Sequence, residues 1–143
     1  MKYIKNSCRA ISLEDFEDFE NYFNVKFPLC FNEFYMVHNG GYTIKKDFII
    51  NGALFDIHCF FSIKYQTNAI HTIISIYEES MRLHNYQKEY VPFAIDQGGN
   101  NYLINIGKEN YGGIYLWYHD LDYDENKNRI CDNFNILINS FYK

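Results

Sequence analysis

Five histidines (His38, His58, His71, His84 and His119), four cysteines and eighteen acidic residues are the groups in this chain that could do chemistry. Imidazoles paired with carboxylates could move protons, and imidazoles with thiolates could hold a metal. The spacing argues against both. Cys8, Cys30, Cys59 and Cys131 are far apart and form no Cys-x-x-Cys pair, so they read as reduced thiols with no zinc site. His58 and Cys59 are neighbours on a strand-like stretch, where successive side chains point to opposite faces. His38 falls near a helix end, a place for a cap or a packed ring. The run DLDYDEN from Asp120 suggests calcium, but an EF-hand loop needs glycine sixth and glutamate twelfth. Those places hold Glu125 and Cys131. The stretch FAIDQGGNNYLINI, residues 93–106, offers a glycine pair for a phosphate. A phosphate cradle sets its glycines between a strand and a helix N-terminus. Here Tyr102, Ile104 and Ile106 alternate after the glycines, so Gly98-Gly99 turns one strand into the next. No catalytic, metal or cofactor-binding residue and no cofactor are expected.

Those residues need a frame. A length of 143 residues favours one domain, residues 1–143, around a single core. With 48% hydrophobic and 22% charged residues and two prolines, the chain is globular rather than disordered. No apolar run nears the about 18 residues of a membrane span, and the start has no apolar segment behind its basic residues. The expectation is a cytoplasmic protein with no membrane partner. The net charge of −5 and only three arginines, Arg9, Arg82 and Arg129, argue against direct nucleic-acid binding. The 20% aromatic content goes with abundant Asn, Ile and Lys, the residues of AT-rich codons, and suggests no base-stacking platform.

The first helix announces itself in ISLEDFEDFENYFN. Ser12 can cap, Asp15 can complete the box, and Ile11 with Phe16 can staple. Leu13, Phe16, Phe19 and Phe23 recur at helical spacing as a buried stripe. KFPLCFNEFYMVHNGG reads as a second helix, with Pro28 in its first turn and Asn39-Gly40-Gly41 as its left-handed end. The period then changes to two. Phe55, Ile57, Cys59, Phe61 and Ile63 fall on one face, and Asn51-Gly52 is a favoured hairpin turn, predicting two strands. Ile70, Ile73, Ile74, Tyr77 and Met81 return to helical spacing. Three strands follow, around VPFAID, NYLINI and GGIYLWYHD. A last helix has Asp132 as its cap and Phe134, Leu137, Ile138 and Phe141 as its apolar face. The expected fold is α+β, a mainly antiparallel sheet with packed helices in the order ααββαβββα.

Three stretches taken in order carry a resemblance. They are Pro28 with Asn39-Gly40-Gly41; Pro92, Ala94, Asp96, Gly98, Gly99 and Asn100; and Gly113, Tyr115, Trp117, His119 and Asp120. From about Ile11 to Phe141 the chain resembles the SUKH superfamily, which includes fungal cell-wall synthesis regulators of the Smi and Knr type and bacterial immunity proteins. Gln97 stands where many relatives have a small residue or glycine. The resemblance implies a Smi/Knr-like fold without a catalytic centre and a protein partner, in bacteria a toxin encoded nearby. It implies an architectural role for most of the signature residues, with Asp96 and Asn100 bonding backbone across a turn and Trp117 anchoring the core or a groove wall.

Two acidic clusters hint at the partner. Glu14, Asp15, Glu17, Asp18 and Glu20 lie on the first helix away from its stripe, and Asp120, Asp122, Asp124 and Glu125 form the second cluster. Such surfaces suit a basic partner, for example a nuclease-type toxin whose cationic cleft accepts phosphate. The expected function is a non-catalytic binding module, an immunity protein that occludes a toxin. The alternative is a scaffold or regulator of the same fold.

Overall fold

In the computed structural model, which describes residues 3–5, 7–44, 47–84, 86–121 and 127–143, the first helix begins at Ser12. The Ser12 hydroxyl accepts the Asp15 N–H at 3.1 Å, and the Asp15 carboxylate accepts the Ser12 N–H at 2.9 Å. This capping box opens α1 (Leu13–Phe23). Phe16 and Phe19 are buried as their spacing predicts, but Leu13 is 57% exposed. Ile11, itself buried, takes the place at that end of the core. Asn24 adopts the left-handed conformation (φ 55°) and ends the helix. Pro28 then stands as the N-cap of α2 (Leu29–Val37).

The Asn-Gly-Gly that follows α2 is not its left-handed cap. His38 is the C-cap and is extended, with φ −131°. The two glycines serve close approach instead. A Cβ on Gly40 would stand 2.8 Å from the Phe60 carbonyl oxygen, and one on Gly41 would stand 2.8 Å from the Ile4 side chain. Both also have positive φ, 77° and 134°. Asn39, buried beside them, donates from Nδ2 to the carbonyls of Arg9 and Lys64, at 2.8 Å each, and accepts the Ile63 N–H at 2.7 Å.

The strands outnumber the expectation. Two short strands, β1 (Ile4–Lys5) and β2 (Gly41–Thr43), pair first. The hairpin β3 (Asp47–Ile50) and β4 (Ala53–Asp56) turns at Asn51-Gly52, both at positive φ, 51° and 79°. The chain next enters β5 (Cys59–Phe60), α3 (Ile73–His84), β6 (Tyr90–Ile95), β7 (Asn101–Asn105), β8 (Ile114–Trp117), β9 (Lys127–Cys131) and α4 (Phe134–Phe141). The order is therefore βααββββαββββα rather than ααββαβββα. Seven strands form one antiparallel sheet, β1-β2-β5-β6-β7-β8-β9, and β3-β4 form a separate ribbon. The α+β class stands. The predicted two strands around Asn51-Gly52 are four, because the chain leaves the ribbon and rejoins the main sheet on either side of it. α4 is capped by Asn133, whose side chain accepts the Ile136 N–H at 2.9 Å, one residue past the expected Asp132. Asp132 instead pairs with exposed Arg129.

The sheet has two unlike faces. Phe60, Ala94, Tyr102 and Leu116 are paired neighbours across β5 to β8 and share one face. Aromatic rings cover it from α2 and α4: Phe34 lies 4.8 Å from Phe60, and Phe134 lies 5.5 Å from Phe93. Pro92 is tolerated in central β6 because the register shifts there, between Pro92 and Ala94. The expected order of two substitutions follows from the glycines. Gly52→Ala meets open space and costs only the left-handed backbone penalty, about 1–2 kcal/mol. Gly40→Ala adds a backbone clash and costs more, measured as the shift in urea midpoint. Equal costs would contradict the close-approach role of Gly40.

Candidate partner-docking face

On the other face of the sheet, Tyr42, Cys59, Ile95, Asn101 and Trp117 are successive Cα partners across β2, β5, β6, β7 and β8. Alternation along each strand puts all five side chains on one side. This row floors a cleft of about 360 Å³. Ile76, Glu79, Ser80 and His84 of α3 line it, as do Ala69 and His71 ahead of that helix. The floor is held firm at both ends. Tyr86, Leu103, Tyr115 and Trp117 form one small apolar cluster, and Cys8, Cys59 and Ile70 form another. Thr72 starts α3 by accepting the Ser75 N–H, and Ile70 lies just before the helix rather than within it.

Four of the five histidines, His58, His71, His84 and His119, line this cleft. No local spacing in the sequence joins them, since His84 ends α3 while His58, His71 and His119 lie in three different connecting segments. His119 Nε2 lies 2.9 Å from the Gly98 carbonyl, which can only accept, so that nitrogen carries the proton. His58 Nδ1 lies 3.3 Å from the Gln97 amide. His84 lies 4.9 Å from Trp117, ring centre to ring centre. Among the described residues, no three His, Cys, Asp or Glu side chains stand where they could share a metal ion. The Cys59 thiol is pushed up to about 12 by burial and then by Cys8 beside it, which keeps it protonated and weakly nucleophilic at neutral pH. The fifth histidine, His38, is buried at the end of α2, and burial pulls its imidazole below the usual value.

An acidic surface built from two helices reaches the cleft at Glu79. Glu14, Glu17 and Asp18 are exposed on α1, and Glu78 and Glu79 on α3. The Tyr22 hydroxyl ties the helices by donating to Glu78 at 2.6 Å, and Phe23 meets Tyr77 edge to face at 5.0 Å. Burial, then the Glu78 bond, push the Tyr22 phenol up to about 12. Two carboxylates expected on this surface are otherwise engaged. Asp15 holds the cap and Lys64, 3.0 Å away; the cap, then that bond, hold its carboxyl below the usual range. Glu20 is only 7% exposed and accepts the Phe27 N–H at 2.6 Å. It is a bracket between α1 and α2, not part of the exposed acidic face. Its position four residues after Phe16 and three before Phe23 places it on the inward stripe, a signal present in the sequence. Of the second cluster, Asp120 is exposed directly after His119 at the cleft. Asp122, Asp124 and Glu125 lie outside the described residues.

The glycine-pair stretch proves to be a strand-to-strand turn. Asp96 accepts the Asn100 N–H at 2.8 Å and its side-chain amide at 3.0 Å, and the Asp96 N–H reaches back to the Asn100 carbonyl at 2.9 Å. Gly99 supplies the positive φ of 89°. Gln97 is bonded outward, its N–H to the Asp56 carboxylate at 2.9 Å. Tyr115 is buried edge to face against Tyr90, and Trp117 is both core and cleft floor, at 3% exposure. No helix among the described residues is long and apolar enough to cross a membrane.

The model of the SMI1/KNR4 family (SUKH-1) matches residues 10–140. Comparison with curated proteins finds no match.

Two measurements check this geometry. Glu20→Ala strands the buried Phe27 N–H and lowers stability by about 1–3 kcal/mol, whereas exposed Glu17→Ala changes it by under about 0.5 kcal/mol. Similar urea midpoints for the two would put Glu20 on the surface. The Cys59 thiol is raised in the folded state, from 9.0 to about 12. The unfolded chain therefore ionises it first, and this stability is present below about pH 9 and lost as pH rises toward 12. Thermal melts from pH 8 to 11 are expected to fall; a level profile would contradict a sealed thiol.

Proposed function

We infer the function from one premise: this chain belongs to the SMI1/KNR4 (SUKH-1) family. The family fits an immunity or regulatory protein and is generally non-catalytic. We propose that this member is a cytoplasmic immunity protein that binds a cognate toxin and blocks it by occlusion. The observation that carries the proposal is the exposed acidic surface shared by α1 and α3, with Glu14, Glu17, Asp18, Glu78 and Glu79 beside an open cleft. Fixed carboxylates of this kind favour a basic partner, raising the encounter rate and penalising partners of like charge. A nuclease-type toxin with a phosphate-binding cleft is such a partner. The helices can present these carboxylates without cost to the core, because their apolar stripes already face inward.

Co-expression with the toxin domain encoded beside this protein is expected to restore growth. Growth no better than with empty vector would reject the immunity role and favour the regulatory one. The surface itself is tested with Glu14→Lys, Glu17→Lys and Asp18→Lys together. Affinity should fall at least about ten-fold, with a weaker salt dependence. An unchanged salt slope would remove α1 from the interface.

A further inference from the structure

The α3 wall of the cleft carries a charge that nothing else in it answers. Glu79 lines the cleft, and no lysine or arginine among the described residues does. Nor does Glu79 have an ion-pair partner among the described residues. The cations of Lys26, Lys64 and Arg129 are taken by Glu20, Asp15 and Asp132.

Two further acceptors stand on the same lining. Asn101 donates its side-chain N–H to the Tyr86 hydroxyl at 3.3 Å, which leaves its carbonyl oxygen to accept. His119 spends Nε2–H on the Gly98 carbonyl, which leaves Nδ1 as the accepting nitrogen of a neutral imidazole. The walls are flat and already held. Tyr42 is half-buried, its hydroxyl donates to the Ala69 carbonyl at 2.9 Å, and its ring meets His58 at 5.1 Å. His84, also half-buried, lies against Trp117. A planar cation can stack on such rings, and rings already fixed lose little freedom in receiving it.

We propose that this cleft receives one arginine side chain of the bound partner, its guanidinium held by Glu79 and Asn101 and stacked on Tyr42. The aliphatic stem then lies along Ile76 and Ile95, which line the same space. A guanidinium carries a rigid fork of donors and is weakly hydrated, so it can serve a carboxylate and a carbonyl at once while half-buried. A lysine ammonium is a compact, strongly hydrated point charge and gains less from flat walls. An acidic side chain is disfavoured by Glu79 itself and by Glu78 and Asp120, exposed next to lining residues on the chain. The cleft volume of about 360 Å³ stands at the small end of ligand sites, room for one long side chain.

The inference rests on the docking reading only for which protein supplies the arginine. Its test uses no partner, so either can fail alone. Arginine binding without rescue in co-expression would reject the docking reading only; rescue without arginine binding would reject this assignment only. The isotope-labelled protein is followed by amide NMR at pH 8, above the ordinary titration range of histidine. It is titrated with end-blocked arginine, citrulline or lysine at one ionic strength. Citrulline keeps the shape of arginine and lacks its charge. Arginine is expected to shift the amides of Gly99 and Asn101 and the indole N–H of Trp117, the chain's one tryptophan. It should bind at least about five-fold more tightly than citrulline, with lysine between the two. Glu79→Gln, an exposed change, should weaken arginine at least about three-fold at an unchanged melting temperature. Glu109→Gln, exposed and outside the lining, should leave arginine binding unchanged. Equal binding of arginine and citrulline, full affinity in Glu79→Gln, or no saturable shift at the cleft would overturn the proposal.

Discussion

One asparagine side chain joins the three backbone segments on which the rest of the fold depends. Asn39 bonds the carbonyls of Arg9 and Lys64 and the N–H of Ile63. It thereby fastens the segment before α1 and the segment after β5 to the end of α2. Gly40 and Gly41 permit this closeness, since a side chain on either would collide with β5 or β1. Because an amide supplies both donors and an acceptor, no apolar residue could satisfy these buried groups. With the helices fixed to this edge of the sheet, their aromatic faces can cover only one side of it. The other side stays open between two small clusters, and that opening is the cleft.

Local features were the ones that could be read from the chain. The capping box of Ser12 and Asp15, the Asn51-Gly52 turn and the Asp96-to-Asn100 turn each depend on contacts within four residues. The misreadings share a cause, which is that one residue type has several uses. Asn-Gly-Gly suits a helix end and a close crossing equally well, and only β5 lying against it decides. β9 runs through Lys127–Cys131, where the residues are mostly polar and the hydrophobic alternation of a strand is absent. Its status as a sheet edge explains that composition. Glu20 was legible in principle, because its spacing from Phe16 and Phe23 set it on the inward stripe. Charge drew it to the wrong face.

The cleft was not legible at all. Tyr42, Cys59, Ile95, Asn101 and Trp117 become neighbours only through strand register, and four histidines meet there from four separate stretches of the chain. The same holds for the acidic surface. α1 alone is visible as a charged helix, but its continuation onto α3 depends on the bond from Tyr22 to Glu78. The residues that carry the resemblance do the opposite work. Asn39, Pro92, Asp96 and Asn100 spend their polar groups or their rigidity inside the fold.

The central claim is that a partner docks on the side where α3 lines the cleft and meets α1. Hydrogen exchange of the protein bound to the partner proposed for it, a toxin domain, compared with the free protein, tests it most directly. Slowed exchange is predicted along Leu13–Phe23, Ile73–His84 and the turn around Gly98. Protection confined to the β3–β4 ribbon and the outer surfaces of α2 and α4 would contradict it.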